Sequence, residues 1–275
     1  MSAARQIFWP AVTRLMFRKV LGHASDRSAG ADVEPAALTS ADGSKLEGAL
    51  AAAHGAPRGV LLLCHPFTRH GSGYFLRGGL LPAIREAGWH ALLFNFKGFG
   101  RSEVRGANFA DDVVGAFEYA RARFPSLSVA MFGLSFGAFH ALAALRRLDG
   151  ALSGAILDSA PMRASDFFGR TPAGVVLRWL GRSRWAATTG TAPVIDVPGG
   201  LRATRLWLVY GDRDEYCELD EIRTAAQRGD QTTLVVLPGF GHLQAFKQLP
   251  TPYMKLIGES LADLSAAATP QKKGA

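Results

Sequence analysis

At 275 residues and 48% hydrophobic content, the chain is long enough for one large α/β domain or two small ones, with a sizeable core. Lys and Arg outnumber Asp and Glu by 31 to 23. The arginines are scattered, with neither zinc-finger spacing nor an aromatic RNA-binding signature, so nucleic acid is not expected as a partner. Cys64 in an apolar run and Cys217 in a later loop do not make a disulfide framework; both are read as packing residues in a reducing compartment.

In chain order, residues 1–23 carry Arg5, Arg14, Arg18 and Lys19, no acid, and apolar Ile7, Phe8, Trp9, Val12, Leu15, Met16, Val20 and Leu21 at a spacing that approximates one helical face. An amphipathic basic helix, taken as residues 1–30, is expected to pack on the domain. Peripheral contact of residues 1–23 with an anionic membrane surface and an organellar transit role are the alternatives. The segment lacks the uninterrupted apolar core and cleavage site of a secretory signal, and no apolar run approaches the roughly 18 residues that span a bilayer. The expected location is therefore cytoplasmic, with or without membrane-peripheral association.

Ala36 to Ser40 and Lys45 to Leu50 read as two short strands around the Asp42-Gly43 turn. Then come Val60 to Cys64, His90 to Phe94, Leu127 to Phe132, Gly154 to Leu157, Leu206 to Tyr210 and Thr233 to Leu237. These are apolar runs without clear alternation, as expected of strands buried on both faces. Helical patterns such as Phe109 to Arg123 and Phe136 to Leu148 lie between them. Strand and helix in repetition predict a mostly parallel sheet flanked by helices. About 160–202 holds no core strand but includes a helical pattern at Val175 to Trp185, and is expected to form a short helical lid. A last helix is expected from about Leu243 to Ala266, ending a domain of residues 31–266, and residues 267–275 are expected to be disordered.

Gly133-Leu134-Ser135-Phe136-Gly137 passes from strand to helix at a serine. A sharp turn there projects the hydroxyl into the crevice at the strand's carboxyl end and opens a helix beside it. Side chains two positions before and after the serine would collide in that turn, which explains the glycines. This segment resembles the nucleophile elbow of the α/β-hydrolase superfamily, and the resemblance covers about residues 36–266. It implies an eight-stranded, mostly parallel sheet.

The resemblance further implies a serine nucleophile, then an acid, then a histidine in chain order. Ser135 takes the first role. Of the acids in Gly211-Asp212-Arg213-Asp214, the similar proteins use the second, so Asp214 is expected to orient the base and Asp212 to support the loop. His242 follows the next strand and is expected to be the base. His140, inside the helix that Ser135 opens, is read as packing, while His23, His54 and His90 lie in connections or at a strand start.

For the oxyanion, the resemblance implies the backbone N–H of Phe136 and of Phe67, with Thr68 the alternative to Phe67. Pro66 stands where similar proteins carry Gly, and His65 is expected to orient that loop. Asn95 and Lys97 stand where Asp and Arg are common after the fourth strand, with a supporting role and no chemistry.

The implied activity is hydrolysis of a carboxylic ester in a small-molecule acyl substrate, without a metal or organic cofactor. Thioesters, peptides or amides, and acyl transfer to another acceptor remain open, as does a non-catalytic binding protein on the same fold.

Overall fold

The computed structural model describes residues 32–77, 79–163, 166 and 194–267. The expected N-terminal helix and residues 268–275 of the expected tail lie outside the described residues, as does most of the expected lid; Ala267 is the last residue of the final helix rather than disordered.

Eight strands form one sheet in the order β1-β2-β4-β3-β5-β6-β7-β8. They are β1 (Glu34–Thr39), β2 (Lys45–Ala51), β3 (Gly59–Cys64), β4 (Trp89–Phe94), β5 (Ser128–Leu134), β6 (Gly154–Asp158), β7 (Arg205–Gly211) and β8 (Thr232–Leu237). β2 is antiparallel to both β1 and β4, and every later pairing is parallel. The Asp-Gly turn joins β1 to β2 as the sequence predicts: Gly43 has φ 84° and the Ser44 N–H donates to the Asp42 carboxylate at 2.9 Å.

Helices cover both faces because the strands are apolar on both. Val60, Leu62 and Cys64 of β3 pack on the side of α2 (Ala110–Arg123) and α3 (Phe136–Leu148). Leu61 and Leu63 face α1 (Leu80–Glu86) and the C-terminal helices on the other side. α2 begins with Asp111 and Asp112 and ends with Arg121 and Arg123, charges that complement the helix dipole. The remaining described helices are α4 (Val197–Gly200), α5 (Leu219–Gln227), α6 (Gln244–Gln248) and α7 (Thr251–Ala267), and a 3₁₀ turn spans Gly71–Arg77.

Two expectations need correction. The single helix from Leu243 to Ala266 is two helices, because Pro250 supplies no N–H and Leu249 turns the chain with φ 44°. β8 is not buried on both faces: Thr233 is exposed and its other residues are half-buried, since β8 is the last strand of the described sheet. No helix among the described residues is long and apolar enough to cross a membrane.

Candidate active site

Ser135 sits between β5 and α3 with φ 49° and ψ −110°, a conformation that costs a non-glycine residue about 1–3 kcal/mol and persists only where its surroundings hold it. The glycines beside it admit no side chain. A Cβ on Gly137 would lie 2.1 Å from the Cys64 carbonyl oxygen, and one on Gly133 2.8 Å from the Cα of Ala138. β3, β5 and α3 thus meet backbone to backbone, which fixes the direction of the Ser135 hydroxyl. The Ser135 N–H donates to the Asp158 carbonyl at 2.9 Å, tying the turn to the end of β6.

His242 follows β8 on the loop that leads into α6, and its Nε2 lies 2.8 Å from Ser135 Oγ. Its Nδ1 lies 2.9 and 3.0 Å from the two carboxylate oxygens of Asp214, which follows β7. An ionised carboxylate only accepts, so Nδ1 carries the proton and Nε2 keeps the lone pair that faces the serine hydroxyl. Asp214 also accepts from the Tyr216 N–H at 2.9 Å, while Tyr216 places its ring 4.6 Å from that of His242. Ser135, Asp214 and His242, expected from three distant parts of the sequence, are therefore in one hydrogen-bonded row. Asp212 accepts from the Gly239 N–H at 2.7 Å and so braces the β7 loop against the β8 loop.

The loop after β3 is held by His65, fully buried, whose pKa burial pushes down to about 4. The Phe96 N–H donates to Nε2 at 3.1 Å, which leaves Nδ1 to donate to the Pro66 carbonyl at 2.8 Å. The next residue, Phe67, exposes 48% of its surface and sets its ring edge-on to Phe99 and Phe136. Asn95 accepts from the Ser72 N–H at 2.7 Å and donates to Glu47 at 2.9 Å, and the fully buried Lys97 pairs with Asp42 and Asp112. Both therefore brace loops beside the site. His140 packs among Phe96, Phe109, Phe136 and Phe139, and His90 stacks on Phe124, so neither reaches the row.

Asp214, Cys217 and His242 each offer one donor atom within 4.8 Å of the others, a metal-like set in kind. Burial first, and the Asp214 charge next, push the Cys217 thiol well above its ordinary range. The thiol thus stays protonated and the donors satisfy one another.

Asp158 and Ser159 also belong to the site, although no motif in the sequence marks them. Asp158 ends β6, where crevice residues of a parallel sheet belong, but only the apolar Gly154 to Leu157 carried the strand signal. The Asp158 carboxylate accepts from Ser159 Oγ at 2.9 Å and from the Tyr253 hydroxyl at 2.8 Å. Burial raises its pKa to about 6 against the lowering effect of those two bonds.

Residues 55–191 match the family model for serine aminopeptidase S33, a span that includes Ser135 and stops before Asp214 and His242. An esterase of Pyrococcus furiosus superposes with a TM-score of 0.68 at 18% identity, covering 84% of this chain and 90% of that one. An α/β serine hydrolase of Xanthomonas campestris described as having no lid gives 0.57 at 19% identity, covering 89% and 98%. A thermophilic esterase of Thermogutta terrifontis gives 0.58 at 20% identity, covering 84% and 99%. No curated protein matches the chain in sequence. The chain has the α/β-hydrolase fold.

Proposed function

We propose that the protein is a serine hydrolase that cleaves a carboxylic ester by acyl transfer. The observation that carries this reading is the row Ser135 Oγ, His242 Nε2 and Nδ1, Asp214 carboxylate, with contacts of 2.8 and 2.9 Å. Ser135 attacks the ester carbonyl while His242 Nε2 takes its proton, and Asp214 holds the imidazole in that tautomer and stabilises the imidazolium. His242 then protonates the departing alcohol, and a water that it deprotonates releases the acid from Ser135. The backbone N–H groups of Phe136, at the start of α3, and Phe67, on the loop braced by His65, are the proposed donors to the oxyanion. Removing one such donor typically costs about 10²- to 10³-fold in turnover.

An ester is favoured because Phe67 exposes its ring on the loop after β3 and Tyr216 sets its ring 4.6 Å from that of His242, apolar surface suited to an aliphatic or aromatic acyl group. Two of the similar structures are esterases. The S33 match supports a second reading, hydrolysis of a peptide or amide with the same residues in the same roles. A fluorophosphonate probe tests the nucleophile, with labelling expected at Ser135 and lost in His242→Ala; folded wild-type protein that resists labelling sinks the proposal in favour of a binding protein. p-Nitrophenyl esters, acyl thioesters and aminoacyl amides, assayed with Ser135→Ala as control, separate the substrate classes, and the largest kcat/KM is expected for an ester.

A further inference from the structure

Asp158 and Ser159 connect the two halves of the site. The Asp158 carbonyl accepts from the Ser135 N–H at 2.9 Å, and its carboxylate accepts from Tyr253 of α7 and from the Ser159 hydroxyl. Ser159 donates its own N–H to the Val209 carbonyl of β7 at 2.8 Å. Its Oγ in turn accepts from the N–H of Leu243, the residue after His242, at 3.3 Å. A buried hydroxyl thus spends its donor on the carboxylate and its acceptor on the histidine loop, and the carboxylate decides which way it points.

Both ends of that last bond are strained. Ser159 has φ 54° and Leu243 φ 55°, left-handed conformations that side chains other than glycine rarely adopt. Residues are kept in such states where the surroundings over-determine them, and this bond joins the two. We propose that Ser159 is a positioning residue for His242: its hydroxyl, oriented by Asp158, sets the histidine loop against the end of β6, to which the Ser135 turn is tied. This rests on the serine-hydrolase reading, because placing His242 matters through the proton transfer that reading assigns to it.

Ser159→Gly is the deciding variant, since glycine accepts the positive φ without strain and the chain stays folded while the hydroxyl is lost. Misplacement of a reacting group by about 1 Å can cost about 10²-fold. Expected are a fall in kcat of about 10- to 100-fold with KM within about 2-fold, a matching fall in the rate of fluorophosphonate labelling, and an unchanged melting temperature. The downfield proton resonance of His242 Nδ1 should shift or broaden, a signature that loss of mere packing at residue 159 would leave in place. Ser159→Ala should give the same pattern. Wild-type protein that is not labelled at Ser135 overturns both the function and this role. Wild-type labelling with unaltered kcat, labelling rate and resonance in Ser159→Gly overturns the positioning role alone.

Discussion

β5, which delivers Ser135, is buried along all but its first residue and lies mid-sheet, whereas β8, which leads to His242, is half-buried at the end of the described sheet. Ser135 is fixed by close approach of backbones at Gly133 and Gly137, and His242 by a few hydrogen bonds from loops. One part of the site is therefore set by packing, which fails all at once, and the other by bonds that can be removed singly.

The largest expected effect is at His242, the proposed base. His242→Gln, which keeps a donor for Asp214, should lower kcat on the best p-nitrophenyl ester by about 10⁴-fold or more. Its stability should fall by less than about 1 kcal/mol by thermal melting, because the His242 side chain is already 15% exposed at a loosely packed edge. The contrast breaks if the variant unfolds instead. On the nucleophile's side the order reverses: Gly137→Ala drives a methyl into the Cys64 carbonyl and should cost at least about 3 kcal/mol in urea unfolding, with activity lost through the fold.

The smallest effect sharpens the comparison through pH. Burial, and then the Lys97 charge, hold the His140 pKa down to about 3, while an unfolded histidine titrates near 6.5. As pH falls through about 6.5 the unfolded chain gains a proton the packed ring cannot take, so stability present above that pH is lost on the way down to about 3. Between pH 6.5 and 5 the loss is on the order of 2 kcal/mol, and His140→Leu should remove it from the pH dependence of unfolding. His65, its pKa down at about 4, contributes a similar loss that stays in the variant.

What was legible in the sequence followed the same division. β3 to β7 announce themselves as apolar runs because the sheet is covered on both faces, and the glycines around Ser135 mark a turn that no larger residue could make. β8 carries the same run of residues although it is half-exposed, because strand propensity does not record which strand comes last. Asp214 and His242 could be chosen only with the chain order of a superfamily in hand; nothing in their own neighbourhoods distinguishes Asp214 from Asp212. Asp158 and Ser159 were invisible for a physical reason. Their importance lies in partners at Ser135, Leu243 and Tyr253, and no local pattern encodes a contact 84 or 95 residues away. The break at Leu249 and Pro250 is legible in the proline, which lacks an N–H, although apolar periodicity continues on either side of it.

Ser135 and His242 are 107 residues apart and belong to strands separated by two others. During refolding, β6 and β7 must dock before the imidazole can meet the hydroxyl, and closing so long a loop is slow. The proposed catalytic competence is then the last property the chain acquires, and recovery of turnover should report completion of the sheet's far margin rather than collapse of its centre.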